Sequence, residues 1–426
     1  MKILRYSETP KDQILSRAYT SADVEDSVRE IVENVRANGD RALRELTLRF
    51  DGADIADPAV TPEEIAEART LVGESFIGIM ERAAANIRKF HEKQVRSGFI
   101  INDEDGILMG QKVIPVDSAG LYVPGGTAAY PSTVLMDSIP AKIAGVKNVI
   151  MCTPPGKDGL INPYILAAAS VAGVDRIYKV GGAQAIAAMA CGTDSIPKVD
   201  KIVGPGNAYV AEAKKQVFGM VSIDMIAGPS EILIIADGAS DPAFVAADLL
   251  SQAEHDTLAS AVLITDSFEL AEKVSEEVDR QLGSLPRYDI ASASVKNNGK
   301  IIVCDDIAQA VEVANDIAPE HLELCLDSPF DWLDRIRHAG SVFIGRYSPE
   351  PLGDYFSGAN HTLPTSGTAR FSSPLSVDDF VKKLQYTYYT RGALARVGDD
   401  IAAFARKEGL EAHARSIEIR LGEERR

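Results

Sequence analysis

Histidine is scarce in this chain of 426 residues: there are six, alongside four cysteines and one tryptophan. Cys152, Cys191, Cys304 and Cys325 are widely scattered with no CxxC pair, so neither a disulfide framework nor a structural zinc knuckle is indicated. Cys152 and Cys304 fall in β-branched apolar runs, where a free thiol reads as core. No run stays apolar for the roughly twenty residues a membrane span needs. The opening MKILRYSETPKDQ also lacks the apolar stretch of a signal peptide, so a soluble cytoplasmic protein is expected. Positive charge is short too: 44 Lys and Arg against 62 Asp and Glu leave a formal charge of -18. Phosphate recognition needs a basic face, so this balance argues against nucleic acid and anionic membranes as partners. It suits small or cationic ones.

What is present is an ordinary globular composition, 46% hydrophobic and 25% charged. The length exceeds what one core supports, so two or more domains are expected. The first part reads as helical. Thr61-Pro62-Glu63-Glu64 combines an N-cap, a proline at the first helical position and a glutamate at the third, and the apolar spacing then predicts one long helix to about Lys93. Asp105-Gly106 between FIIN and ILMG signals a hairpin. From Leu121 onward the short runs NVIMC, RIYKV, KIV, EILIIAD, AVLIT, KIIVC and SVFIG alternate with helical segments. Such alternation implies βαβ units and parallel sheets covered on both faces. The number of strands, with a break near Ala227-Gly228-Pro229-Ser230, suits two doubly wound sheets. After about Ser373 the chain reads as helical again, through VDDFVKKLQYTYY, ALARVGDDIAAFARKEG and LEAHARSIEIRLG, too short for a core of its own and suited to packing on a partner subunit.

Four of the histidines stand in blocks that suit chemistry: Gln252-Ala-Glu-His255, Pro319-Glu320-His321, Asn360-His361 and Glu408-Gly-Leu-Glu-Ala-His413. The other two, His91 and His338, lie in charged helical contexts and read as surface residues. Gln252 and His255 follow an apolar helix, and i,i+3 spacing puts both on one face, either as ligands of one ion or as the polar end of a helix. Asp354, in a glycine-flanked loop, offers a carboxylate and His413 an imidazole. A nitrogen and oxygen set without thiolate fits zinc or a neighbouring first-row metal. Glu320 and His321 form the best acid–base pair if they sit at a strand entry, where neighbours can line one site; the plainer reading is a loop cap beside a satisfied polar residue. Three glycine-rich turns, at YVPGG, VGGAQ and GPGNA, would let backbone amides approach a phosphate at a helix N-terminus, although tight βα turns need glycine in any case.

Long strings in a fixed order resemble the L-histidinol dehydrogenase family: GLYVPGGTAAYPSTVLM, VGGAQAIAA, VDKIVGPGNAYVAEAKK, IDMIAGPSEILIIAD, DLLSQAEHD, APEHLEL, GDYFSGANHTLPTSGTARFSSPLSVDDF and EGLEAH. The resemblance implies one zinc ion per subunit held by Gln252, His255, Asp354 and His413, and proton transfer by Glu320 and His321. It implies NAD contacts at Tyr122, Gln184 and Asn207, and substrate contacts at Ser230 and Glu408, with the zinc ligands and His321 also touching substrate and His361 as an addition. Ser372 stands where the family usually has an aromatic. The implied activity is a four-electron oxidation of L-histidinol through L-histidinaldehyde to L-histidine, the last steps of histidine biosynthesis. The alternative is a related NAD- and zinc-dependent dehydrogenase of another polar alcohol, such as a sulfonated diol.

The implied fold is α/β, with two incomplete Rossmann-like domains and small helical segments in an intertwined homodimer. Its expected limits are an N-terminal segment 1–17, a first domain 18–122 with 231–372, a second domain 123–230, and a C-terminal segment 373–426 on the partner subunit. Glu408 and His413 lie about 140° apart on an ideal helix, so that helix is expected to begin near Gly409, with both residues serving the neighbouring subunit.

Overall fold

The β-branched runs become the strands of two parallel sheets. The chain is described here from a computed structural model, over residues 1–17, 23–125 and 130–422. One sheet joins β4 (Ser118–Tyr122), β5 (Asn148–Thr153), β6 (Arg176–Lys179), β7 (Lys201–Val203) and β8 (Ser222–Ile223) in the order β6-β5-β4-β7-β8. The other joins β9 (Glu231–Ala236), β10 (Ser260–Thr265), β11 (Lys300–Val303), β12 (His321–Cys325) and β13 (Ser341–Ile344), with β1 (Lys2–Arg5) at its edge, in the order β1-β11-β10-β9-β12-β13. In both, the main strands run 3-2-1-4-5, so the winding reverses between the first strand and the fourth. That reversal opens a crevice at the strands' carboxyl ends.

Helices α5 (Pro131–Ala144), α6 (Pro163–Ala172), α7 (Gly182–Cys191) and α8 (Ala208–Val217) connect the five-stranded sheet. Helices α9 (Pro242–Ala253), α10 (Phe268–Leu282), α11 (Tyr288–Asn298) and α12 (Ile307–Ile317) connect the other. Before them come the short α1 (Lys11–Ile14), then α2 (Glu25–Asp51), α3 (Pro62–Val72) and α4 (Glu74–His91). Thr61 and Glu64 form the expected capping box, but the single long helix is broken in two at Gly73, whose φ of +79° leaves the helical region.

The packing of these early helices departs from the expected division. Val28, Val35 and Leu43 of α2 share a core with Ile150, Ile186 and Ile202, and Ile77 and Ile87 of α4 share one with Leu121 and Met151. Residues 25–91 and β4 therefore belong with the five-stranded sheet rather than with 231–372. An apolar stripe tells that a helix is covered, not which sheet covers it.

His91 is a second correction, since it is fully buried rather than a surface residue. It continues the stripe of Ile77, Met80, Ala84 and Ile87 at helical spacing, so the face of α4 decides its fate over its charged neighbours. Nδ1 bonds Gln94 Oε1 at 2.7 Å, and Nε2 has no hydrogen-bond partner among the described residues. Burial lowers the His91 pKa below its ordinary 6.5. A depressed histidine pKa means the unfolded chain takes up the proton first, so this contribution to stability is present above pH 6.5 and lost as pH falls below it. Melting curves across that range should show a His91→Leu variant losing less stability on acidification than the parent; equal losses would remove His91 as a source.

A second compact unit consists of Val95–Pro115 and Val381–Arg426. Here β2 (Phe99–Ile101) and β3 (Ile107–Pro115) form the expected hairpin, turning at Gly106 with φ +76°. The run VKKLQYTYY, expected to be helical, is instead the strand β14 (Val381–Tyr389), antiparallel to the whole of β3. Its tyrosines and threonine fit a pleated surface, and nine residues of ladder outweigh a weak helical preference. Helices α15 (Arg391–Lys407) and α16 (Glu411–Leu421) pack on each other through Ala402, Ala405 and Ala414. Phe99, Ile100, Leu384, Tyr388, Phe404 and Ile419 stay exposed on this unit.

Candidate active site

His321 is the first residue of β12, and Glu320 stands immediately before it, so the pair sits at a strand entry. Their exposures are 4% and 7%. The backbone of one residue on the adjacent strand holds both: Glu231 N–H donates to Glu320 Oε2 at 2.8 Å, and the Glu231 carbonyl lies 2.9 Å from His321 Nδ1. A carbonyl only accepts, so Nδ1 carries the hydrogen and Nε2 keeps its lone pair. Among the described residues Nε2 has no hydrogen-bond partner. Glu231 is in turn anchored by Arg17, whose Nη1 reaches its two carboxylate oxygens at 2.9 and 3.1 Å. Burial holds the His321 pKa below the usual histidine range and pushes Glu320 well above the usual carboxylate range. The ring is a neutral base, and the carboxyl is a stronger base than an exposed one.

Gln252 lies in the last turn of α9 and His255 just beyond it. The terminal carbonyls of a helix carry partial negative charge, which favours a cation there. Gln252 is 1% exposed, and its Oε1 has no hydrogen-bond partner among the described residues. A buried amide oxygen in that state is suited to a metal or a substrate donor.

Asp354 lies on the short α14 (Glu350–Tyr355), which follows the single-turn α13 (Phe330–Leu333) and β13. One turn earlier on α14 is Glu350, 2% exposed, with an unpartnered Oε1 that lies 3.7 Å from His321 Nε2. His321, Glu350 and Asp354 each offer a ligand atom within 4.8 Å of the others. Burial, reinforced by the Asp354 charge, pushes the Glu350 pKa up to about 10. The sequence reading missed Glu350; its i,i+4 spacing to Asp354 in PEPLGDY was the available signal.

Ser230, Gln252, His255, Glu320, His321, Asp354 and His361 all line one cleft of about 990 Å³, together with Asn207. Pro124 and Gly125 follow β4, and Pro205 to Asn207 follow β7, so one wall is the carboxyl end of the five-stranded sheet at its switch point. Ser230 and Glu320 precede β9 and β12, so the opposite wall is the amino end of the other sheet. Asn207 Oδ1 caps α8, accepting from Tyr209 N and Val210 N, which sets a helix N-terminus beside the cleft.

Tyr122 and Gln184 are buried instead of lining it, and the Tyr122 hydroxyl accepts from Gly182 N–H at 3.0 Å. An adjoining cleft of about 690 Å³ shares Gly125 with the first. The rest of that glycine turn, from Gly126, lies outside the described residues. Glu408 and His413 belong to the second unit, where both are exposed. Glu408 is the C-cap just past α15, Gly409 turns the chain with φ +78°, and α16 begins at Glu411, two residues later than expected.

Two doubly wound sheets facing each other across a cleft that holds an acid–base pair beside nitrogen and oxygen donors define a Rossmann-like α/β enzyme. Residues 15–421 match the histidinol dehydrogenase family. The chain is 57% identical over 394 residues to histidinol dehydrogenase of Bacillus subtilis, covering 92% of each chain. It is 56% identical over 400 residues to that of Clostridium acetobutylicum, covering 94% of this chain and 93% of the relative. The crystal structure of histidinol dehydrogenase from Elizabethkingia anophelis superposes with a TM-score of 0.94 at 42% identity, covering 99% of this chain and 98% of that one. The chain belongs to the histidinol dehydrogenase family. Among the described residues no helix is long and apolar enough to cross a membrane.

Proposed function

We propose that this protein oxidises L-histidinol with NAD, through L-histidinaldehyde, to L-histidine, completing histidine biosynthesis in the cytoplasm. Family membership supports the reaction. The observation that carries the division of labour is the grip of one backbone residue, Glu231, on both Glu320 and His321. Purified protein should form NADH from histidinol and not from a sulfonated diol; the reverse preference would reject the substrate assignment.

The donor set fits zinc: Gln252 Oε1 is buried and unpartnered, and His255 and Asp354 line the same cleft. We assign these three as ligands, with His413 of a second copy as the fourth. Bound there, zinc would hold the substrate's imidazole and amino nitrogens and so orient the alcohol. NAD, when bound, takes the hydride. Asn207 and the α8 N-terminus suit its phosphates, and the adjoining cleft past Gly125 leaves room for the rest of the dinucleotide.

His321 Nε2 takes the hydroxyl proton of histidinol as the carbon loses hydride, leaving the aldehyde. Its Nδ1–H stays on the Glu231 carbonyl, which supports the imidazolium that forms. Glu320 then takes a proton from the water that attacks the aldehyde carbon, while the His321 imidazolium returns its proton to the carbonyl oxygen, so that a neutral hydrate forms and Nε2 is free again. The hydrate loses a second hydride to another NAD while His321 takes a hydroxyl proton, and the resulting carboxylic acid ionises to the carboxylate. Ser230 and His361 line the cleft as substrate contacts.

Exposed Glu408 and His413, on a unit whose sheet leaves Phe99, Ile100, Leu384 and Tyr388 uncovered, support a homodimer in which this unit completes the partner's cleft. Mixing and refolding two inactive variants, His321→Ala and His413→Ala, should restore about a quarter of the parent activity, because mixed dimers then contain one intact site. No recovery would place both residues in one chain's site.

A further inference from the structure

Beneath the turn that opens with Gly204 lies an ion pair that the chemistry above does not use. Lys214 on α8 and Asp224 just past β8 are 2% and 1% exposed. Together they hold both hydrogen-bonding groups of Gly204: its N–H donates to Asp224 Oδ2 at 2.8 Å, and its carbonyl accepts from Lys214 Nζ at 3.0 Å. Asp224 Oδ1 also accepts from Met225 N, at the start of the crossover that leads to Ser230. The glycine is tightly confined. Its φ is +113°, and a Cβ on it would lie 2.1 Å from the Tyr122 carbonyl oxygen and 3.1 Å from Asp137 Oδ2.

Two buried charges are a poor way to gain stability, since an apolar pair of the same volume does as well or better. They are a good way to fix one backbone geometry, because any other leaves a buried charge unpaired. The residue they fix is the one from which Pro205, Gly206 and Asn207 project into the cleft.

We propose that the Lys214–Asp224 pair positions the dinucleotide: it sets the Gly204–Asn207 turn, and with it the α8 N-terminus, in the geometry that receives the cofactor's phosphates. The pair acts through the turn and touches no ligand. This rests on the reading that the turn serves NAD.

The test compares Lys214→Met, the double variant Lys214→Met with Asp224→Asn, and Asn207→Ala. The measurements are NADH affinity by fluorescence titration, melting temperature, and separate KM values for NAD and histidinol. Lys214→Met strands a buried carboxylate, so it should lose both stability and affinity. The double variant removes both charges and should regain most of the stability. Without the grip on the Gly204 carbonyl, its NADH affinity should stay roughly tenfold weak, a loss of about 1.4 kcal/mol, with the KM for NAD raised and that for histidinol little changed. Parent-like NADH affinity in the double variant would make the pair merely structural and overturn the proposal. If that variant stays unstable, an equal rise in both KM values overturns it. Unchanged NADH affinity in Asn207→Ala is a separate outcome: it rejects the cofactor reading of the turn, and the proposal with it.

Discussion

A Glu320→Gln variant is expected to make aldehyde and stall. The amide keeps the volume of the carboxyl and can still accept from Glu231 N–H through its oxygen, so the fold and the His321 tautomer should persist. It cannot take a proton from water. General-base catalysis is worth about 10²–10⁴-fold, so NADH formation from supplied histidinaldehyde should fall by that factor, while the first oxidation falls far less. His321→Ala, by contrast, should slow both oxidations, because the same nitrogen serves each. Single-turnover rates from histidinol and from histidinaldehyde separate these outcomes. Equal losses in both half-reactions of Glu320→Gln would end the division of labour between the two residues. The raised pKa of Glu320 adds a sign: its base form grows as pH rises, so the aldehyde step should gain from alkaline conditions more than the alcohol step.

The second large effect concerns the donors around Asp354. Gln252→Leu and Asp354→Ala each remove a proposed ligand, and zinc affinity should fall by more than the roughly 10–100-fold that changes outside the ligand shell produce. Activity should vanish on dialysis against chelator and return with added zinc in the parent alone. Glu350 makes this a real choice, because His321, Glu350 and Asp354 also lie within 4.8 Å of one another. With Gln252 and His255 as ligands, Glu350→Gln should leave zinc affinity nearly intact. Should Glu350→Gln abolish zinc binding while Gln252→Leu spares it, the metal belongs to the other group.

Much of the fold was legible because parallel strands buried on both faces write themselves as β-branched runs, and the predicted runs EILIIAD and AVLIT became β9 and β10. What escaped depended on partners far away in sequence. Val381–Tyr389 is a strand because Ile107–Pro115 lies beside it, and His91 is buried because α4 turns that face inward. At the cleft, the strings around Gln252, His255, Glu320, His321 and Asp354 could be picked out by residue type. Glu231 could not, since it works through its backbone, and Glu350 offered only its i,i+4 spacing to Asp354, which does not reveal its distance to His321.

The sequence by itself determined the family, the two-sheet α/β class and the residues worth watching, because each is encoded in local pattern or in strings long enough to be specific. Only the tertiary structure decided that the carboxyl end of one sheet faces the amino end of the other across a single cleft. It alone also decided that His321 presents Nε2 and that a buried ion pair holds the turn at Gly204. The physical reason for these last two is the same. Tautomer and grip are set by hydrogen bonds between residues separated in the chain, and those bonds exist only once the strands and helices of each sheet have come together.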